Sequence, residues 1–173
     1  EPVPLPDGIE PGTDSEKVSN FGFNIKGGGA YFINAQNSVY GNIGYYSRQP
    51  YHDNIYLNFT NQVNPLTENE KIFGMELGYK FTGSRFSGSL NLYSTSWKDR
   101  VVTSSDVETD PDTGQDVLLF TTNFGVEQLH MGLEIDGVYR ITDALRARGF
   151  LSLGNWRYKG NSVTRVADED QNI

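Results

Sequence analysis

Apolar and polar residues alternate with a period of two along three successive pairs of segments. In residues 18–33, Phe21, Phe23, Ile25, Gly27, Gly29, Tyr31 and Ile33 share one face, with Asn20, Gly22, Asn24, Lys26 and Gly28 on the other. After a polar turn at 34–37, Val39, Gly41, Ile43 and Tyr45 alternate with Ser38, Tyr40, Asn42, Gly44 and Tyr46. The plan repeats with Phe73, Met75, Leu77, Tyr79 and Phe81, a turn at 83–84, and a return through Phe86, Gly88, Leu90 and Leu92 toward Val101. A third pair runs through Leu129, Met131, Leu133, Ile135, Gly137, Tyr139 and Ile141. It turns at 142–144 and returns through Leu145, Ala147, Gly149, Leu151 and Leu153. A helix repeats near 3.6 residues, so this pattern predicts strands, about six of them, paired as antiparallel hairpins.

The connections alternate in length: short at 34–37, 83–84 and 142–144, long and polar at 48–70 and again through the acidic stretch 104–116. Short turns at one level and long loops at the other, with one apolar face and one polar face, predict an antiparallel transmembrane β-barrel fragment. On this reading the short turns are periplasmic and the long loops extracellular. A soluble β-rich binding or adhesion module accounts for the alternation but not for the sorting of the connections. Tyr31, Tyr79 and Tyr139 each precede a short turn on the apolar parity, where a phenol buries its ring and wets its hydroxyl, predicting a lipid-interface girdle at one height.

Composition fits this picture. The chain has 19 Gly, 10 Tyr and 10 Phe, no Cys, and a formal charge of −8. No apolar run approaches the ~18 residues of a membrane helix, whereas a barrel strand needs only about 9 to 11 with one apolar face. The acidic balance argues against a nucleic acid partner, and the lack of Cys removes disulfide and thiolate chemistry. Residues 1–16, rich in Pro and acids, read as an irregular loop segment, 17–160 as the partial barrel, and 161–173 as the start of an extracellular loop. Six strands fall short of the usual minimum of about eight for a closed barrel, and the chain opens on Glu1, so the sequence reads as a piece of a larger barrel.

By strand parity Tyr93, Trp97, Trp156 and Tyr158 point into the lumen near its external end, as substrate-binding aromatics. A β-bulge would instead turn them toward lipid as an outer girdle. Glu76, Lys80, Glu134, Asp136, Arg140, Arg146 and Arg148 form a luminal charge cluster, either an ion-pair ladder docking a plug or a substrate contact. Asp110, Asp112 and Asp116 invite a calcium reading, but the spacing is not that of an EF-hand and Asp-Pro-Asp-Thr-Gly is also a turn sequence. No other cofactor is required. An outer-membrane barrel hydrolase would need a Ser and a His within reach of each other, and His52 and His130 fall at different levels.

Asn42-Ile43-Gly44-Tyr45-Tyr46-Ser47-Arg48-Gln49-Pro50-Tyr51-His52-Asp53-Asn54, Asn64-Pro65, Glu68-Asn69-Glu70-Lys71 and Glu76-Leu77-Gly78-Tyr79 follow one another in an order that resembles the late barrel strands of TonB-dependent outer-membrane receptors of Bacteroidetes type. Asn91-Leu92-Tyr93, Trp97-Lys98-Asp99-Arg100, Gly132-Leu133-Glu134-Ile135-Asp136 and Gly154-Asn155-Trp156-Arg157-Tyr158 extend the resemblance. It implies a barrel of about 22 strands in the outer membrane of a Gram-negative bacterium. It also implies an N-terminal plug, and import of an oligosaccharide, siderophore, cobalamin or peptide driven by the TonB–ExbB–ExbD complex. SusC-like relatives of this type work with a SusD-like lipoprotein.

Overall fold

The computed structural model describes residues 14–57 and 60–168; residues 1–13, most of the expected N-terminal loop segment, and 169–173 lie outside the described residues. Its elements are β1 (Phe23–Phe32), β2 (Asn37–Arg48), a single helical turn α1 (His52–Ile55), β3 (Glu70–Thr82), β4 (Phe86–Thr109), β5 (Asp116–Arg140), β6 (Arg146–Lys159) and β7 (Val163–Ala167). The strands form one antiparallel sheet in the order β1-β2-β3-β4-β5-β6, and β7 pairs with the upper part of β5.

Each pairing keeps the alternation in register, so the apolar parity of every strand falls on one face. Leu77 lies opposite both Gly41 and Leu92, Leu92 opposite Leu133, and Leu133 opposite Leu153. That face is bare. Leu77 is 61% exposed, and Ile25, Ile43, Met75, Leu92, Leu151 and Leu153 are exposed with it. Among the described residues the buried hydrophobics are Phe124, Val126 and Ala167, all beyond the expected membrane span. A soluble sheet covers its apolar face, because each uncovered Å² forfeits roughly 25 cal/mol. A sheet that leaves this whole face bare is built for a non-aqueous solvent.

The structure corrects two expectations and shows a stagger that bears on a third. First, β4 and β5 do not stop near the membrane edge: they pair up to Thr109 and Asp116, so most of the supposed acidic connection is strand, closed by a turn at 110–115. Two compensating bulges, between Trp97 and Arg100 and between Arg100 and Val102, disguise this in the sequence by shifting the parity of each strand once. Second, β7 occupies part of the range 161–173 that the alternation leaves as loop. It continues the line of β6 along β5 after an interruption at 160–162. Third, the three tyrosines do not share one rung. Val39 links Tyr31 to Tyr79, and that rung continues through Leu90 to Ile135, four residues short of Tyr139. Successive turns step in the same sense: Thr82 donates its N–H to Gln36 beside the first turn, and Arg140 to Arg85 beside the second. Closing a barrel of tilted strands requires such a stagger.

The connection between β2 and β3 is folded rather than merely polar. The Tyr56–Val63 bridge narrows it, and Asn64, 7% exposed, receives the Thr67 N–H on its carbonyl and donates its own N–H to Ile55. Tyr56, Leu57 and Asn64 line a crevice with Val101, Phe120, Phe124 and Ala167, so this loop covers the apolar side of the β4–β5–β7 extension. Above the bulges the extension therefore has the small core that the strands below lack.

Candidate functional site

The aromatic residues of the polar face converge on three neighbouring strands. Tyr93 and Trp97 come from β4, His130 from β5, and Trp156 and Tyr158 from β6. Register places Thr95, His130 and Trp156 on one rung, Trp97, Gln128 and Tyr158 on the next, and Tyr93 with Gly132 and Gly154 on the one below. Diagonal neighbours on one face lie within reach of aromatic side chains. The His130 ring accordingly sits 4.6 Å from that of Trp97 and 5.6 Å from that of Trp156. Trp156 Nε1 donates to the Tyr93 hydroxyl at 3.2 Å, fixing the indole against β4. The result is a ledge of rings, with Trp156 67% and Tyr158 71% exposed.

The bulge that could have turned these residues toward lipid lies just beyond them. Asp99 has φ 58, Gly125 φ 68 and Gly160 φ 71, on three adjacent strands at one level. Trp97, Trp156 and Tyr158 precede it in their strands and keep the polar-face parity. Immediately above the ledge, Glu70 is 6% exposed and receives Arg48 Nη2 at 2.6 Å, with Arg100 Nε at 3.7 Å from its other oxygen. Arg100 also donates to Gln128. The network ties β2, β3, β4 and β5 together and sets the single Glu70 carboxylate between two guanidiniums. On the opposite parity Lys71 pairs with Asp99 at 2.6 Å and Glu68 at 3.3 Å, holding the left-handed Asp99 in place.

The sequence-predicted charge cluster separates into two levels. Glu134 falls opposite Asn91 and Ser152, and Asp136 opposite Ser89, from which it accepts a hydrogen bond, and Phe150. Glu76 accepts from Asn42 Nδ2 at 2.7 Å. Arg140, opposite Arg146, and Arg148, opposite Val138, lie nearer the short turns, whereas Lys80, opposite Ser38 and Ser89, shares the rung of Asp136. Arg140 donates to the Ser84 carbonyl at 2.6 Å and lies 3.8 Å from Asp143. No ion pair joins these acids to these arginines among the described residues, so the expected internal ladder is replaced by an acidic band above a basic one. Register decides this, by setting hydroxyls and amides opposite the acids.

The acidic hairpin tip uses its carboxylates locally. Asp110 accepts from the Asp112 N–H at 2.8 Å and the Thr113 hydroxyl at 2.8 Å, and these bonds, the backbone one foremost, hold its carboxyl below the ordinary range. Asp116 accepts from Thr109 at 2.8 Å, and Gly114, with φ 68, closes the turn. No group of three or more His, Asp or Glu placed to hold a metal occurs among the described residues. The carboxylates of Asp110 and Asp116 thus hold this turn and the strand pair that it closes.

Two members of the site escape the residue pattern. Both His130 and Glu70 have the correct parity, but His130 draws attention only as a catalytic candidate; its neighbours here are two indoles, and His52 meets Tyr56. The tight 142–144 turn fixes His130 opposite Trp156 and could have revealed that half of the contact. Trp97 joins through the β4–β5 pairing, which no short turn fixes.

Comparison with known families gives one match: a model described as TonB dependent receptor-like, beta-barrel, covers residues 6–172. No curated protein and no solved structure matches the chain.

Proposed function

The chain belongs to the TonB-dependent receptor family as part of its β-barrel, and on that premise we propose that its aromatic ledge is a ligand-binding surface inside an outer-membrane active transporter. Receptors of this family are transporters, not enzymes, and reside in the outer membrane of Gram-negative bacteria, where TonB drives uptake. The polar parity of the ledge faces the lumen, and its place at the level of the bulges sets it where an external ligand arrives. The observation that carries the reading is the continuous run of tilted ring contacts Trp97–His130–Trp156 with Tyr93 bonded to its edge.

The substrate class we propose is a neutral, polyhydroxylated ring compound, an oligosaccharide. Ring faces stack on the apolar faces of sugars, and the hydroxyl groups of Tyr93, Thr95 and Tyr158 stand around them to bond sugar hydroxyls. The order of motifs from Asn42 to Tyr158 supports a receptor of Bacteroidetes type, for which a SusD-like lipoprotein is the corresponding partner. The basic band of Arg140, Arg146 and Arg148, together with Lys80, is the surface we assign to the plug, and Tyr31, Tyr79 and Tyr139 to a staggered girdle at the lipid interface.

The test is calorimetric binding on the intact, detergent-purified receptor. The ligands are neutral hexaoses of glucose, mannose and xylose, with a ferric siderophore, cobalamin and a hexapeptide as competing classes. Trp97→Ala and Trp156→Ala should each weaken hexaose binding about tenfold, the scale of one aromatic contact worth ~1.5 kcal/mol. Undiminished affinity in both variants removes the ledge from the binding site, and binding of another class alone overturns the proposed substrate.

A further inference from the structure

Glycine weakens a strand interior, so its presence in the middle of one needs a local reason. Gly114, Gly125 and Gly160 have such a reason in their positive φ. Gly132 and Gly154 do not: both lie in regular antiparallel pairing, opposite each other, where any residue adopts the backbone. What they lack room for is a side chain. A Cβ on Gly132 would stand 2.5 Å from the Tyr93 hydroxyl and 2.6 Å from its ring carbons, and one on Gly154 would stand 3.0 Å from two atoms of the Trp156 indole. Tyr93 thus lies across Gly132, and Trp156 across Gly154. On the opposite face of the same strand Gly149 has nothing within 4 Å of its virtual Cβ.

We propose that Gly132 and Gly154 are specificity-determining positioning residues, a side-chain-free seat that lets Tyr93 and Trp156 lie flat against the wall and so fixes the depth and tilt of the ledge. The seat follows from the structure alone; its effect on specificity rests on the ligand site proposed above. A methyl group at Gly132 displaces the phenol that receives the Trp156 N–H, and one at Gly154 lifts the indole itself. Either change breaks the Trp156–Tyr93 bond and moves the indole relative to His130, so a ring ligand loses contact with two aromatics at once. Tyr40 over Gly78 and Tyr46 over Gly44, with virtual Cβ distances of 2.0 and 2.9 Å, repeat the device on the strands alongside.

The experiment uses the intact receptor with Gly132→Ala, Gly154→Ala and Gly149→Ala. It has two readouts: the emission of Trp156, taken as the difference from the matching Trp156→Phe protein, and affinity for whichever neutral hexaose the unaltered receptor binds. Heat-modifiable gel migration verifies that each barrel is folded. Gly132→Ala and Gly154→Ala should shift the Trp156 emission and weaken binding about tenfold, the low end of what one methylene does in a fitted site, while Gly149→Ala changes neither. With Tyr93→Ala already present, Gly132→Ala should add nothing. Emission and affinity in Gly132→Ala and Gly154→Ala indistinguishable from those of Gly149→Ala overturn the seat, as does full additivity with Tyr93→Ala. If Trp97→Ala and Trp156→Ala both leave hexaose affinity intact, the ligand-site reading fails instead, and if no hexaose binds, the proposed substrate fails; in either case the emission arm still decides the seat.

Discussion

Replacing Glu70 with Gln keeps the shape of the side chain and removes its charge at the point where four strands meet. Its bond to Arg48, 2.6 Å long and made by a carboxylate only 8% exposed, changes from an ion pair to a hydrogen bond between a guanidinium and a neutral amide oxygen, a loss of about 1 kcal/mol. The contact with Arg100 is longer, 3.7 Å, and that guanidinium is 31% exposed, so its share is below ~1 kcal/mol. Two guanidiniums are then left facing each other without an anion, which brings the total to about 2 kcal/mol. Because the network lies directly beneath the bulges, the cost falls on local opening of the extracellular extension rather than on the membrane strands. Amide hydrogen exchange on the intact receptor should therefore accelerate by roughly 30-fold in peptides covering 48–72 and 97–128, and little in 73–92. Glu68→Gln is the control: that carboxylate is 67% exposed and 3.3 Å from Lys71, and its loss should be within ~0.5 kcal/mol. Exchange in the Glu70→Gln protein within twofold of the unaltered receptor at both peptides would refute the claim that this ion network anchors the extension.

Leu77→Arg places a charge at the centre of the bare apolar face, and should lower stability in lipid vesicles by about 2 to 4 kcal/mol in urea unfolding, as for a midplane position; no change would mean that this face meets water. Arg146→Glu combined with Arg148→Glu reverses part of the basic band near the turns, and should make the plug of the intact receptor more susceptible to limited trypsin digestion; an unchanged digestion pattern would remove the band from the plug contact.

Much of the wall was legible because a strand's side chains alternate strictly and a tight turn fixes the register of both its arms. Once 142–144 is read as a turn, Arg140 must face Arg146 and His130 must face Trp156; a turn at 83–84 would likewise set Tyr79 opposite Gly88, but the turn closes between Gly83 and Phe86 and moves the partner to Leu90. The faces, the hairpins and the shared parity of Trp97 and Trp156 all follow from that local rule. The acidic segment was harder, because the compensating bulges near Asp99 and Gly125 break the period where β4 and β5 leave the membrane level.

What the sequence alone determined about this protein is therefore the alternation, the turn-bounded pairs and the identity of the rings. Each depends on residues close in the chain. Tertiary structure decided what depends on pairing between hairpins: that Trp97 meets His130, that Arg48 and Arg100 share Glu70, and that the acids and arginines occupy separate levels. It also decided that Tyr31 and Tyr79 share a rung that Tyr139 does not, and that Gly132 and Gly154 lie beneath aromatic rings. Long connections leave those registers unspecified locally. Only the assembled sheet, with its stagger and its bulges, fixes which side chains become neighbours.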